Sequence, residues 1–457
     1  MIRRNVGVIG MGYVGIPAAV LFADKYAKVY GFQRDSPSSG YKIDMLNRGK
    51  NPLVGEEPYL DELLKDVVDK KRFECTSDFS LLSEMDAITI SVQTPFTNKK
   101  CLVPDIQPLT DALMVVGENM SYDTLVVIES TITPGTTSGY AKKILELHSK
   151  MKIENDDFRL AHAPERVMVG RLIHNIRNHD RIVGGVNEQS TRSAEDLYTP
   201  ILVRGKVIPM TATAAEVTKT TENTFRDLQI AAANQLALYC ESMGVNFYDV
   251  KKGVDSLKGE GVTRAMLNPG AGVGGHCLTK DTYHLERGAQ MLGNLDFPMG
   301  EQSLYITARN INDFMPTHMY NLLLDAFSTV TGKITIPPTV VVLGWSFIAD
   351  SGDTRDSPSE KFVEILKKNG ITYRIHDPYV KEYNNDFKEV VKNTDALVIF
   401  TGHKQYRWDL MNPFELKKIM GKTHPIVVDG RNIVNADDYI NKGFVYRGVG
   451  RGDKNNH

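Results

Sequence analysis

The sequence predicts an α/β fold in which two Rossmann-like domains, each a doubly wound parallel sheet, are joined by a central helical region containing a long helix. Three observations carry this. Short β-rich runs alternate with helical segments through the first 200 or so residues. A glycine fingerprint lies where the first strand runs into the first helix. The alternation stops near residue 211 for a stretch with no glycine or proline before Gly244, and returns after Pro337-Pro338.

The strands are expected at NVGVIG (5–10), AKVYGF (27–32), DAITISV (86–92), TLVVIES (124–130) and RLAHAP (159–164). Helices fall between them at 58–71, 106–120 and 137–150. Strands separated by helices of this length build parallel sheets covered on both faces. From TATAAEVTK onward one long helix is expected, and helical text continues to about residue 330, broken by a glycine-rich loop at 269–275. Strands return at 339–347, 371–377, 396–403 and 425–430, with a helix at 357–370. The expected domains are residues 1–208, 209–330 and 331–457.

The uncharged run from Val6 to Ala23 follows Arg3 and Arg4 and could pass for a signal peptide or a short membrane span. It holds Gly7, Gly10, Gly12, Gly15 and Pro17, which suit neither. A buried strand entering a helix explains it better, and the protein is expected to be cytoplasmic. With 54 basic and 56 acidic residues the net charge is -2, which gives no electrostatic reason to expect nucleic acid or an anionic membrane as partner. Four cysteines in 457 residues, none in a CxxC pair, make neither a disulfide framework nor a zinc site.

Gly10-Met11-Gly12-Tyr13-Val14-Gly15 fits GxGxxG, follows a strand and opens a helix. That context points to a dinucleotide whose pyrophosphate meets a helix N-terminus. The second strand ends at Gln33, where an acid normally reads the adenosine ribose, and Arg34 follows. An arginine here accommodates a 2′-phosphate, so NAD and NADP both stay open, with Asp35 or Gln33 as alternative ribose contacts.

The tract PGAGVGGHCLTKD (269–281) surrounds Cys277 with glycines and places His276 and Lys280 beside it. Cations and loop amides lower a thiol pKa, which suits a nucleophile. A lone cysteine is more often a small buried apolar residue, and Cys75, Cys101 and Cys240 fit that description. A metal at His276 and Cys277 lacks further ligands at matching spacing. On the long helix Glu216, Lys219, Asn223 and Arg226 share one face, which on a generic charged helix is solvated. Glu165 in APERV (163–167) follows a strand end, at the edge where parallel sheets bind ligands.

Together these motifs resemble the UDP-glucose/GDP-mannose dehydrogenase family over essentially the whole chain. They are GMGYVG, VQTP (92–95), STITPGTT (130–137), the Pro-Glu pair, AEVTKTTEN (215–223), PGAGVGGHCLTKD, GDTRDSP (352–358) and DGRN (429–432). The resemblance implies an NAD-binding Rossmann domain, a central dimer-forming helical region and a C-terminal domain for the nucleotide sugar. It implies oxidation of a sugar C6 alcohol to a carboxylate, with a thiohemiacetal and then a thioester on Cys277. Lys219 and Asn223 would stabilise the oxyanion, and Asp281, Thr131 and Glu165 would position water. Thr94, Pro95, Ser130, Thr131, Lys280 and Arg355 would lie near the cofactor, with Arg355 at a dimer interface. Asn268, Gly270, Gly272, Gly274, Phe347 and Arg431 would hold the nucleotide sugar.

Two positions depart from the family pattern. Gln33 replaces the usual acid, and Ile348 stands where a lysine commonly follows Phe347. Arg166, ENTFRD (222–227) with Arg226, and His276 look like the UDP-N-acetylhexosamine branch. The expected substrate is therefore a UDP-N-acetyl-mannosamine, -glucosamine or -galactosamine, oxidised to a uronic acid for surface polysaccharide or glycoprotein glycans. UDP-glucose or GDP-mannose is the alternative substrate, and a nucleotide-sugar or dinucleotide sensor the alternative without catalysis.

Overall fold

The computed structural model describes residues 2–53, 57–99, 102–166, 170–257, 265–293, 303–330, 337–410 and 412–455, so Cys101 and Val167 lie outside the described residues. The chain forms two compact units, one of Met1–Glu222 with Tyr283–Asp296 and one of Asn223–Thr282 with Phe297–His457.

The first unit is built on strands β1 (Ile2–Ile9), β2 (Tyr26–Phe32), β3 (Phe73–Thr76), β4 (Ala87–Ile90), β7 (Leu125–Ile128), β8 (Arg159–His162), β9 (Arg181–Gly185) and β10 (Val207–Thr211). A small hairpin of β5 (Phe96–Asn98) and β6 (Val103–Pro104) stands apart. The sheet order is β10-β9-β8-β7-β4-β1-β2-β3. Strands β4 and β7 are buried along their whole length, as central strands covered on both faces must be. Alternate side chains serve opposite cores: Val6, Val8, Val127 and Ala161 pack on one face, Ile9, Ile90, Val126 and Leu160 on the other.

One pairing departs from the expected all-parallel order: β8 and β9 run antiparallel, Ala161 opposite Gly185. Among the described residues between them there is one helix, the seven-residue Leu172–Asn178, about 10 Å long at 1.5 Å per residue. The chain re-enters the sheet at the edge where β8 ended, which puts Arg181, the first residue of β9, beside the Ala163–Glu165 segment. Strands β3, β9 and β10 carry too little local pattern to stand out in the sequence.

The second unit holds a parallel sheet of β11 (Thr339–Leu343), β12 (Thr372–His376), β13 (Ala396–Ile399), β14 (Ile426–Asp429) and β15 (Val445–Gly448), in the order β12-β11-β13-β14-β15. Val340, Val342, Val398 and Val428 pack with Phe362 and Met319, and Val341, Leu397 and Val427 pack with Tyr406 and Leu416 on the other face. The long helix runs over Ala212–Ser242, 31 residues, and a second over Leu304–Thr329. Among the described residues no helix is long and apolar enough to cross a membrane.

Candidate active site

In the first unit β1 ends at Ile9 and a helix begins at Gly15. The turn between them closes so tightly that a Cβ on Gly15 would lie 1.9 Å from the Gly10 carbonyl oxygen, and Gly10 itself has φ of +98°. Nothing approaches Gly12 within 4 Å of an added Cβ, which leaves the backbone open to a ligand. The Val14 N-cap makes no side-chain cap, and a helix N-terminus is where an anion is favoured. Gln33 bends back toward this turn: its Oε1 accepts from the Met11 amide at 3.3 Å, and its Nε2 donates to Ser39 Oγ at 3.1 Å. Arg34 pairs with Asp111 at 2.9 Å.

The loops after β4 and β7 are fastened to each other. Thr94 Oγ1 donates to the Thr131 carbonyl at 2.6 Å, and Ser130 Oγ to the Val92 carbonyl at 2.6 Å. His284, not singled out by the sequence, spans both loops. Its ring nitrogens lie 3.0 Å from Thr133 Oγ1 and 3.2 Å from the Thr94 carbonyl, and its ring packs on Phe96. Glu216 accepts from the Gly135 and Thr137 amides at 2.6 and 2.7 Å, and from Thr137 Oγ1 at 2.5 Å. Burial pushes its carboxyl pKa up. The solvated-face reading of the helical stripe therefore fails for its first two members: Glu216 and Lys219 are buried, Asn223 is half-buried, and only Arg226 is exposed.

Glu165 is buried in an ion pair with Arg181. Arg181 also bonds Glu129 at 2.8 Å and the Ala163 carbonyl at 2.7 Å, and stacks 4.2 Å over the Tyr198 ring. Tyr198 hydroxyl and Ser91 Oγ complete the ring around Glu129, at 2.7 and 2.6 Å. Motif reading missed Arg181; the only signal was an arginine opening an apolar run, RIVGG. Arg166 engages Glu222 of the long helix, Nε to Oε2 at 3.0 Å. His162, at the end of β8, is fully buried, and its pKa is pushed down to about 3 by burial first, with Arg181 and Lys219 adding repulsion.

In the second unit four predicted residues meet. Asn223 Nδ2 donates to Asp281 Oδ2 at 2.6 Å, and Lys280 Nζ pairs with Asp281 Oδ1 at 2.8 Å. The Cys277 carbonyl accepts from the amides of Lys280 and Asp281, at 3.1 and 2.9 Å, so a helical turn opens at the cysteine. Oriented amides at such a turn stabilise negative charge. Cys277 is exposed, whereas Cys75 and Cys240 are buried. Burial pushes the Cys75 thiol up to about 12 and raises that of Cys240. His276 is held below its usual pKa by burial, then by Lys280 and Arg355, which keeps a neutral imidazole next to the cysteine. Lys219 and Asn223 are one turn apart on the long helix.

The glycine loop packs against its expected partners. A Cβ on Gly270 would meet Arg431 Nη1 at 2.6 Å, and one on Gly274 would meet Phe347 Cβ at 2.5 Å. Arg431 Nε donates to the Phe400 carbonyl at 2.6 Å, and burial lowers its pKa. Gly272 faces Pro358. Arg355 pairs with Asp353, and its carbonyl accepts from the Gly275 amide at 2.9 Å. Asn268, Arg226 and Ile348 are exposed.

A buried polar chain missed by motif reading supports this loop. Gly270 N donates to Asn234 Oδ1 at 2.9 Å, Asn234 to Asn312 at 2.8 Å, and Asn312 to Asp227 at 2.8 Å. Arg309 Nη1 closes it on Asp227 at 2.5 Å. Asp227 and Asn234 are seven residues apart, so the long helix presents both on one face, the single trace this network leaves in the sequence. Among the described residues no group of three or more His, Cys, Asp or Glu is placed to hold a metal.

Comparison with known proteins follows the same order along the chain. Residues 4–202 match the NAD-binding domain of the UDP-glucose/GDP-mannose dehydrogenase family, 213–313 its central domain and 341–436 its UDP-binding domain. A UDP-N-acetyl-D-mannosamine dehydrogenase of Pyrococcus horikoshii is 38% identical, covering 98% of this chain and 100% of the relative. One from Campylobacter jejuni is 32% identical over 88% of this chain and 96% of its own. The crystal structure of an NDP-N-acetyl-D-galactosaminuronic acid dehydrogenase from Methanosarcina mazei Go1 is 58% identical, covers 100% of this chain and 97% of that one, and superposes with a TM-score of 0.90.

Proposed function

The chain belongs to the UDP-glucose/GDP-mannose dehydrogenase family and is a nucleotide-sugar dehydrogenase, an oxidoreductase, and from that premise we propose that it oxidises the C6 alcohol of a UDP-N-acetylhexosamine to the uronic acid. The observation that carries the chemistry is the exposed Cys277 one helical turn from Asp281, whose two oxygens are held by Asn223 and Lys280. The acetamido sugar is supported by the names of the relatives, and by a neutral Ile348 where the family's glucose-type pattern has a lysine.

The bound dinucleotide supplies the hydride acceptor, one molecule for each oxidation. In the first step C6 loses a hydride and its hydroxyl a proton, leaving an aldehyde. The Cys277 sulfur then forms a bond to that carbon, and the carbonyl oxygen becomes a thiohemiacetal hydroxyl. Loss of a second hydride and a proton leaves a thioester. Water adds to it and gives up its protons, the C–S bond breaks, the carboxylate forms and the thiolate is regenerated. Lys219 and Asn223 are assigned to the developing oxyanion. Asp281, Thr131 and Glu165 are assigned to positioning and deprotonating water. Gly10 to Gly15, Gln33, Arg34, Thr94, Pro95, Ser130, Lys280 and Arg355 are assigned to the cofactor. Asn268, Gly270, Gly272, Gly274, Phe347, Arg166, Arg226 and Arg431 are assigned to the nucleotide sugar.

The three segments 1–208, 209–330 and 331–457 would divide the labour as cofactor binding, dimerisation with the cysteine, and UDP-sugar binding. Phe225 and Tyr239 stand half exposed and, with exposed Ala232, repeat every seven residues along the long helix, an apolar stripe that suits a homodimer. A reducing, cytoplasmic setting suits an enzyme that works through a thiolate.

The test is a panel of UDP-N-acetyl-mannosamine, -glucosamine and -galactosamine, UDP-glucose and GDP-mannose, followed by reduced-cofactor absorbance. Two reduced cofactors per sugar and the highest kcat/KM on an acetamido sugar are expected. A ratio of one removes the four-electron mechanism, preference for UDP-glucose or GDP-mannose removes the substrate, and binding without turnover on every sugar leaves a sensor. Full turnover by Cys277→Ser would remove the nucleophile.

A further inference from the structure

We propose that His403 is a positioning residue for the nucleotide sugar, setting the arch of residues 347–349 through a buried clamp that it forms with Asp377. The proposal rests on the reading of residues 341–436 as the UDP-binding part and extends it to a residue that none of the motifs contains.

Topology puts the clamp in its place. β11 pairs with β12 on one side and with β13 on the other, so the chain leaves β11 in one direction and returns on the opposite side. The loops after β11 and β13 therefore stand side by side at the carboxyl edge of the sheet, where doubly wound folds bind ligands. They approach closely: a Cβ on Gly344 would lie 2.4 Å from Thr401 Cβ, and Thr401 Oγ1 donates to the Ser346 carbonyl. The apolar run suggests a strand as far as His403, but the ladder ends at Ile399, and His403 is the N-cap of the helix Lys404–Asp409. Its side chain makes no cap bond there. The imidazole turns inward instead and is fully buried.

Inside, the pair holds the β11 loop at both ends. Asp377, the residue after β12, accepts at Oδ2 from the Trp345 and Ser346 amides, both at 2.8 Å, and from Ser346 Oγ at 2.9 Å. His403 Nε2 lies 3.1 Å from the same oxygen, and His403 Nδ1 lies 2.9 Å from the Asp350 amide nitrogen. A backbone N–H can only donate, so Nδ1 accepts and the ring proton sits on Nε2, toward Asp377. One end of the loop is thus pinned by Asp377 and the other by His403, and the two pins are joined. Asp350 has φ of +57°, an uncommon conformation for a residue with a Cβ. Its carboxylate is held by the Lys404 amide at 2.9 Å, its backbone amide by His403.

Between the pins lies the arch. Phe347 backs onto the glycine loop, where a Cβ on Gly275 would come within 2.7 Å of its ring, and Ile348 is exposed. What separates His403 from a histidine that only fills the core is that its two nitrogens, one directly and one through Asp377, tie both ends of the one loop that carries Phe347.

The test is steady-state kinetics of the full chain on the sugar that the panel selects, with UDP titrated calorimetrically. His403→Asn puts an amide oxygen where Nδ1 stood and keeps the bond from Asp350, whereas His403→Gln reaches Asp377 alone. His403→Gln is expected to raise the sugar KM and the UDP Kd about tenfold, roughly the worth of one hydrogen bond, with kcat and the dinucleotide KM little changed. His403→Asn should raise them about threefold at most. Asparagine is the smaller side chain, so lost packing by itself gives the opposite order. KM does not depend on how much of the enzyme is folded, so misfolding moves kcat alone. An unchanged sugar KM in both variants, or a larger rise in His403→Asn, would overturn the proposal and leave the dehydrogenase reading intact. Should neither variant fold, Ser346→Ala decides: it removes one donor from the clamp, a rise in sugar KM of about threefold is expected, and no rise overturns the proposal. A wild-type chain that binds no UDP would overturn the UDP-binding reading and the proposal with it.

Discussion

Asn223 and Asp281 are joined at 2.6 Å, side-chain amide to carboxylate, although 58 residues separate them in the chain. The other oxygen of Asp281 is taken by Lys280, and both members of that ion pair are buried. The carboxylate is thus fixed in place and in orientation, which the water-positioning role proposed for it requires.

Asp281→Asn is expected to lower kcat by roughly two to four orders of magnitude, the usual contribution of a positioned acid–base group. It also leaves the buried Lys280 ammonium unpaired, which costs about 3–5 kcal/mol. Pairing it with Lys280→Met should recover much of that stability but no activity. Urea unfolding and steady-state turnover on the two variants separate the roles. Activity regained together with stability would show that Asp281 matters only as a partner for Lys280.

Arg181→Met should destabilise the first unit by about 3–5 kcal/mol, because Glu129 and Glu165 would each lose a buried cation. Arg181→Lys should restore only part, since an ammonium cannot serve two carboxylates, a carbonyl and the Tyr198 face together. Denaturation midpoints check both. Indifference to Arg181→Met would mean that the buried ion pairs of Arg181 add nothing to stability.

Acid should destabilise the protein through His162. Its folded pKa, about 3, lies below the unfolded value near 6.5, so between those limits the unfolded chain binds the extra proton. The contribution is present in full above pH 6.5 and declines as pH falls toward 3, with a slope approaching about 1.4 kcal/mol per pH unit. His162→Leu should flatten this limb. Unfolding free energies at pH 7, 6 and 5 give the slope for each protein, and unchanged slopes would assign the acid sensitivity to other groups.

Phe225→Asp with Tyr239→Asp should convert a dimer to a monomer, because charge in the centre of an apolar stripe is left desolvated and unpaired. Light scattering coupled to size exclusion reads the mass directly. A wild-type monomer, or a dimer that survives both substitutions, would move the interface elsewhere.

Sequence patterns disclosed elements whose cause is local. A β-rich run, three glycines and a helix within 20 residues specify the dinucleotide turn, because the tight approach of Gly15 to the Gly10 carbonyl is short-range sterics. Cys277 stands out through its local sequence, glycines with His276 and Lys280 beside it, whereas Asp281 enters only through the family resemblance. Strand ends drifted by a few residues, as at 396–403, where only Ala396–Ile399 is strand. The apolar run there outlasts the hydrogen-bonded ladder.

What the sequence by itself determined is therefore the two α/β sheets, the long helix and the glycine fingerprint. Tertiary structure alone decided which groups hold those parts in place. Arg181 meets Glu165 because β9 enters the sheet antiparallel, His284 bridges two loops from about 150 and 190 residues away, and Asn234 reaches Gly270 across 36. These partners come from chain reversal and from the need to satisfy every buried polar group, and beyond the seven-residue spacing of Asp227 and Asn234 they leave no period or motif in the linear text.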